Sequence, residues 1–535
     1  MPSNRLTLQR VLAPEEYEAI DRFCAARRGV GALPALAEFL KKSFAVDLVL
    51  DPGIVVGFAA DSSNLPGRAD GLCRPASERE CAAVFRACFR AGIPVTLSGG
   101  RSNLTGSATP EGGVVVSTVN LVAPEVRADA ASRTARAPSG VLLEDLRKQV
   151  AVQTGGKLVF PVDPTSRKEA SVGGALACNA SGFTPGEAGA FRAWVESLRL
   201  LLPEGLLVEA PRGAFVSEGG KFLIDDGAGA RDWPVPAHPR PRIKNAGGPY
   251  SSPEGRMDFV DLVVGSEGLF GLATACTVRL APAPPEFLDL FFSLPTEAEA
   301  LAFLGRTRER YQGNLGGLSA FEYFGVHCRR YMKHEGRFFR GADQVGVYVQ
   351  EPLFDQEADA AAEAWLEILA EAGCDVDEDA VLLLDSAQLR ELFLEARHSM
   401  PANALEVVQH RGTFTIMTDT VVPPERFPEF LAFTHRLLAA EGLDYLSFGH
   451  LGDCHLHFTI LPEKSQIERG IAAYDAVVAK SAELGGVYSG EHGTGKRKRG
   501  DFLRCYGPAA AEGVRRSKAA VDPELLFNRG NVFEP

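Results

Sequence analysis

Three stretches of this chain are rich in glycine, alanine and small hydroxyl residues, and a fold containing them must lay its backbone close against something. They are residues 98–107 (SGGRSNLTGS), 171–182 (SVGGALACNASG) and 265–271 (GSEGLFG). The first has a readable frame. Ser77 and Glu80 form a capping box ahead of Cys81, Val84, Phe85, Cys88 and Phe89, which share one helical face until Gly92 ends the pattern. An apolar strand follows at 93–97, then the glycine loop, then a second strand at 114–121. Such a loop exposes successive backbone N–H groups that hold phosphate oxygens without charged side chains. A lone Gly-Gly loop is more often an ordinary turn. Three small-residue segments, the last following an apolar run at 259–264 read as a strand, predict one extended cofactor.

Two nucleotide motifs are excluded. No GxGxxG follows a strand and opens a helix with an acidic residue further on, which disfavours a nicotinamide fold. Residues 490–496 (GEHGTGK) fit a phosphate-loop spacing, but Arg497 stands where Ser or Thr must hold Mg²⁺.

The strongest concentration of ligand and acid/base chemistry lies at 448–458 (FGHLGDCHLHF) and 486–496 (GVYSGEHGTGK). His450 and His457 flank a Gly452-Asp453 turn, and Glu491 completes an N,N,O set for a divalent ion with a position left open for substrate. His492, between Gly490 and Gly493, has a side chain suited to proton abstraction near neutral pH. Any one of these histidines is as readily an interior hydrogen-bonded residue; the cluster as a whole argues for a site. His455 shares strand parity with His457 and is read as a substitute ligand or an outer partner.

With 535 residues, the chain has room for two or more domains, and a hydrophobic content of 45% supplies their cores. A net charge of −13 without a basic stripe argues against a nucleic-acid partner. No run approaches the length of a membrane span, and the first residues lack an apolar core before a small-residue cleavage site, so the expectation is a cytoplasmic protein. The cysteines are scattered without a CxxC pair, against an iron–sulfur domain or a disulfide framework.

From about residue 50 onward these motifs together resemble the FAD-linked oxidases of the vanillyl-alcohol oxidase and p-cresol methylhydroxylase type. The segments HLGDCHLH, SGEHGTG and DPELLFNRGNVF are similar to its D-2-hydroxyacid dehydrogenase branch, which includes D-lactate and D-2-hydroxyglutarate dehydrogenases and the glycolate oxidase flavoprotein subunit. The resemblance implies an α+β protein: a two-lobed FAD-binding domain and an α+β cap with an antiparallel sheet. It implies that FAD is held by Ser98, Gly99, Gly100, Arg101, Ser102, Asn103, Thr105, Gly106 and Ser107, by Pro164, by Ser171, Gly173, Gly174, Asn179, Ser181 and Gly182, by Glu267, Gly268 and Gly271, and by Asn531. It makes His450, His457 and Glu491 the ligands of a divalent metal, zinc or manganese, His492 the base, and Arg397 the residue that binds substrate carboxylate. The loop at 98–107 has no His or Cys to tether a flavin, so FAD is expected to be non-covalent.

Two departures bear on substrate. Met417 stands where the D-2-hydroxyglutarate enzymes carry a lysine, and Thr459 where they carry an asparagine. Loss of a cation disfavours a dicarboxylate, because a buried distal carboxylate without a partner is costly. The expected activity is oxidation of a D-lactate-like 2-hydroxy acid to the 2-oxoacid by hydride transfer to flavin N5. An acceptor outside the chain, a cytochrome, a quinone or an electron-transfer flavoprotein, is expected to reoxidise it. An alkylglycerone-phosphate synthase-like transferase and an alcohol oxidase of the same fold are the alternatives.

The expected organisation is a helical extension at 1–48, able to pack on the body or to serve a homodimer, and an FAD-binding domain at 49–284. A long excursion at about 205–257, whose Lys244-Asn245 is placed near the flavin, interrupts that domain. A cap follows at 285–499, with strands at 345–349, 414–419 and 455–460 and helices at 355–372 and 424–441; residues 500–535 return to the FAD domain.

Overall fold

The computed structural model describes residues 2–225, 229–341, 343–374 and 376–535. Helix Glu78–Ala91 begins at Ser77, whose hydroxyl accepts from Glu80 N, and ends at Gly92 in the left-handed conformation. It leads into a four-stranded sheet ordered Leu48–Val49, Gly71–Cys73, Val114–Ser117, Val95–Ser98, parallel except at its first pair. The strand expected at 114–121 stops at Ser117, where the backbone turns through Thr118–Asn120. Helices Pro14–Cys24 and Leu33–Phe44 bury Tyr17, Ile20, Leu36 and Leu40 against the same apolar cluster as Val84 and Phe85.

A six-stranded antiparallel sheet, ordered Gln9–Arg10, Leu206–Pro211, Val195–Leu201, Leu272–Arg279, Thr134–Pro138, Arg127–Asp129, forms the second lobe. The excursion at 205–257 is not one open loop: it holds Leu206–Pro211 and the pair Lys221–Asp225 and Ala230–Pro234, joined by Arg5–Thr7 from the N-terminal segment. The strand expected at 259–264 is instead helix Phe259–Val263. Valine-rich sequence reads as strand, but Asp258 accepts from Val260 N at 2.8 Å and caps a helical turn.

The cap is a seven-stranded antiparallel sheet ordered Val381–Leu383, Glu286–Leu294, Val345–Leu353, Ala320–Phe324, Tyr445–His450, His455–Ile460, Ile416–Met417. Its last strand is shorter than expected: past Thr418, whose N–H still donates to Phe458 O, the chain leaves the ladder and Asp419 is fully buried. Leu290, Phe292, Phe321, Leu456 and Phe458 pack one face of the sheet on helices Glu297–Arg310, Ala358–Glu371, Phe427–Ala440 and Ile467–Glu483. Phe291, Phe324, Leu446 and Phe448 pack the opposite face on helix Ala387–Arg411. Strand periodicity then decides the site: Glu322, His450, His455 and His457 have the parity of this second face and cannot reach the first.

The chain finally returns to the first lobe. Val95 N donates to Leu526 O at 3.0 Å, Asn528 N to Val95 O at 2.7 Å, and Leu97 N to Asn528 Oδ1 at 2.7 Å, so the open edge of the four-stranded sheet is covered by residues far along the chain. Among the described residues no helix is long and apolar enough to cross a membrane.

Candidate active site

The glycine segments converge. A Cβ placed on Gly99 would lie 2.5 Å from Ser171 Oγ, one on Gly173 1.7 Å from Ser139 Oγ, and one on Gly100 1.8 Å from Glu169 O. Asn103 organises the loop: its Oδ1 accepts from the N–H groups of Thr105, Gly106 and Ser107 at 2.9 to 3.2 Å. The N–H groups of Gly100 to Leu104 find no acceptor among the described residues, and Arg101 adopts the left-handed conformation that a nest requires. Buried hydroxyls of Ser98, Ser139 and Ser181 likewise lack partners. Segments packed too close for side chains, with backbone and hydroxyl donors left unpaired beside them, suit the phosphate-bearing length of a dinucleotide.

Not all of the expected cofactor residues face that cradle. Glu267 Oε1 accepts from Thr494 N at 2.6 Å, and Oε2 accepts from Gly495 N and Ser107 Oγ, both at 2.7 Å. Its carboxylate is spent on joining the first glycine loop to the turn after His492. Asn531 donates to Ser107 O and Glu267 O and accepts from Lys496 Nζ, and a Cβ on Gly268 would strike Asn528. Gly271, with φ +136, sits 2.1 Å from Leu201 O by the same measure. These residues lock segments to one another. Asn179 Oδ1 accepts from Arg192 N, and Gly182 lies against Asp163, one residue before Pro164.

The histidines stand where the cap meets this cradle. Glu322 faces His450 across paired strands, and His450 faces His455. His450 Nδ1 donates to Glu322 Oε1 at 2.6 Å, and His457 Nδ1 donates to Thr418 O at 3.2 Å. With each Nδ1 so fixed, both Nε2 atoms turn to one carboxylate: His450 Nε2 lies 3.2 Å from Glu491 Oε2 and His457 Nε2 3.1 Å from Glu491 Oε1. A lone pair opposite a carboxylate oxygen is repulsive unless a proton or a metal cation stands between them. Burial disfavours charge on His450, but Glu322 and Glu491 outweigh it and raise its pKa to about 9. Burial also opposes ionisation of Glu491, yet Lys244 and His450 hold its carboxyl well below the usual range.

His492 stacks on His457 with ring centroids 5.3 Å apart; its Nε2 lies 3.6 Å from Glu491 Oε1 and its Nδ1 3.4 Å from Asp419 Oδ2. Burial pushes its pKa down to about 4, so the ring is neutral at pH 7. Its carbonyl accepts from Thr105 Oγ1 at 3.2 Å, a contact with the cradle itself. Gly493, with φ +81, lets the chain reverse there.

Asp419 is the hub that spacing alone leaves unseen. Its carboxylate accepts from His455 Nε2 at 2.9 Å, Lys498 Nζ at 2.7 Å, Ser489 Oγ at 2.6 Å and the N–H groups of Glu491 and His492. The His492 ring, the Lys498 ammonium and the His455 hydrogen bond outweigh burial and hold its carboxyl well below the usual range. His455, fixed as a donor to Asp419 and with its pKa driven to about 3 mainly by burial, is an outer partner.

Arg397 comes from helix Ala387–Arg411 and is already engaged: Nη2 and Nε donate to Glu322 Oε2 at 2.6 and 3.2 Å, and the guanidinium lies 4.3 Å above the Phe183 ring centroid. Glu322 therefore ties Arg397 to His450. A buried acid on an apolar strand gives no motif, and only strand parity opposite His450 marks it.

Residues 69–211 match the FAD binding domain and residues 341–532 the FAD linked oxidases, C-terminal domain. The chain belongs to the FAD-linked oxidases. It is 27% identical to a D-lactate dehydrogenase of Anaerostipes hadrus, over 93% of this chain and 97% of that one. It is also 27% identical to a D-2-hydroxyglutarate dehydrogenase of Xanthomonas citri pv. viticola, over 86% and 89%. In fold it follows p-cresol methylhydroxylase, with a TM-score of 0.68 and 13% identity over 98% of this chain and 99% of that one.

Proposed function

We propose that this FAD-linked oxidase converts a 2-hydroxy acid to the 2-oxo acid, with a D-lactate-like monocarboxylate preferred. The observation that carries the reading is the convergence of His450 Nε2 and His457 Nε2 on Glu491, with neutral His492 alongside. Likeness over most of the chain to proteins named D-lactate and D-2-hydroxyglutarate dehydrogenase supports it. Bound non-covalently in the cradle, FAD supplies the hydride acceptor, and a divalent ion, zinc or manganese, held by His450, His457 and Glu491 supplies Lewis acidity toward the substrate hydroxyl.

The remaining work falls to side chains. Arg397 Nη1, not engaged by Glu322, binds the substrate carboxylate; the Glu322 contact and the Phe183 ring fix the guanidinium plane. His492 takes the hydroxyl proton at Nε2, while Asp419 orients its Nδ1 and stabilises the imidazolium that forms. In this reading residues 49–284 and 500–535 make the FAD-binding unit and 285–499 the substrate unit. Met417 and Thr459 are direct cross-strand partners, with Thr459 two residues beyond His457 on the same face. An apolar side chain and a small hydroxyl at that wall offer no cation for a distal carboxylate.

The test is anaerobic mixing of the purified flavoprotein with D- and L-lactate, glycolate and D-2-hydroxyglutarate while flavin absorbance is followed. Bleaching by D-lactate, slowed by a chelator and restored by zinc or manganese, is the expected result. If no 2-hydroxy acid bleaches the flavin, the reading fails, and a transferase or alcohol oxidase on the same fold takes its place.

A further inference from the structure

The excursion delivers a cation to the site. Lys244 has a side chain only 3% exposed; its Nζ is 3.2 Å from Glu491 Oε2 and 3.6 Å from Asp453 Oδ2. Its backbone is stitched to the turn that carries Glu491 and His492. Ala246 N donates to Ser489 O at 3.0 Å, Gly248 N to Thr494 Oγ1 at 2.8 Å, and Asn245 Nδ2 to Tyr506 Oη at 3.2 Å. A Cβ on Gly247 would come within 2.9 Å of the Tyr488 ring. These contacts fix the backbone from which the Lys244 side chain reaches Glu491.

Glu491 thus divides its charge. Oε1 faces His457, whereas Oε2 is shared between His450 Nε2 and the Lys244 ammonium, each at 3.2 Å. A divalent ion drawn to the two histidines and this carboxylate meets a fixed positive charge on the same oxygen, and burial leaves that repulsion poorly screened. Glu491 does not depend on Lys244 for its place. Its own N–H and that of His492 are anchored on Asp419, and both histidines face its oxygens. Removal of the ammonium therefore relieves repulsion more than it loosens a ligand.

We infer that Lys244 acts on the site through its charge alone, keeping the ion weakly held and making this an exchangeable activating site and not a structural one. The inference rests on the metal-assisted reading above and adds to it a role for the excursion.

The experiment measures zinc affinity of the intact flavoprotein, stripped by chelator and titrated with ZnCl₂ against a chromophoric competitor. The wild type is compared with the neutral variants Lys244→Met and Lys244→Gln and the charge-keeping Lys244→Arg, each checked for unchanged flavin content and spectrum. Both neutral variants are expected to bind zinc on the order of tenfold more tightly, and Lys244→Arg within about twofold of wild type, in the range that outer partners of a metal site exert. Equal or weaker binding by the neutral variants overturns the inference while leaving the metal reading intact, as does tightening in Lys244→Arg. Absence of zinc uptake by wild type and variants alike removes the metal reading and this inference together.

Discussion

The glycine cradle and the histidine site touch at Thr105 and His492, yet they are built by opposite means. The cradle is shaped by what is missing: Gly99, Gly100 and Gly173 leave no room for a Cβ, and its donors are backbone N–H groups and small hydroxyls. The histidine site is shaped by what is crowded together: Glu322, Asp419, Glu491, Lys244, Arg397 and Lys498 are charged groups drawn from five separate segments, each compensating another out of water. Damage to the first should be steric and confined to cofactor binding. In the second, damage should spread from partner to partner, because a buried charge deprived of its counter-charge destabilises its neighbours.

The sharpest separation is His492→Ala, which should leave flavin content unchanged while flavin reduction slows by roughly 10²–10⁴-fold, the range of a lost general base. Stopped-flow reduction with D-lactate reads this directly, and an undiminished rate would remove His492 from the chemistry. Glu322→Leu tests propagation. It strands the Arg397 guanidinium and frees His450 Nδ1, and should cost about 3–5 kcal/mol of stability by urea unfolding, with zinc binding lost as well. A loss confined to one partner would contradict the relay. On the cradle side, Gly100→Ala forces a Cβ against Glu169 O and should weaken FAD binding by about 1–3 kcal/mol without altering zinc affinity. Coupled loss of both would show that the two regions are one unit.

A smaller effect is expected at the wall beside the site. Met417→Lys supplies the missing cation and should shift the ratio of kcat/KM values toward D-2-hydroxyglutarate by about tenfold, whereas Met417→Leu should not. The smallest effect concerns pH. His238, buried with both ring nitrogens unpartnered against Phe502 and Tyr506, has its pKa driven down to about 4, chiefly by burial. An imidazole with a depressed folded pKa stays unprotonated while the unfolded chain takes up a proton, so its share of stability is full above about pH 6.5 and is lost as pH falls toward 4. His238→Phe should flatten the fall in urea midpoint between pH 7 and 5, and an unchanged slope would assign that fall to other groups.

The contrast also explains what the sequence made visible. Glycine loops, the capping box at Ser77 and the spacing of His450, His457, Glu491 and His492 are local patterns, and the structure places the four ligand and base candidates together. Residues 259–264 misled, because valines satisfy strand propensity and the cap on Asp258 is a single hydrogen bond. Glu322 and Lys498 had no pattern to betray them: each is one charged residue whose meaning comes from a partner far along the chain. Family resemblance implies that Glu267 holds the cofactor, but its oxygens face backbone N–H groups of another segment.

One feature of the first lobe also governs when the protein can work. The outer edge of its four-stranded sheet, Val95–Ser98, is covered by residues 526–528, and Val532 N then bonds Gly495 O. A ribosome makes the glycine loop early but delivers this cover only after the whole seven-stranded sheet has emerged. Until then the nascent chain carries an unpaired strand edge, the kind of surface that recruits other strands. Flavin capture should therefore wait until residues 526–528 have emerged, and the interval before that is when a chaperone would be needed.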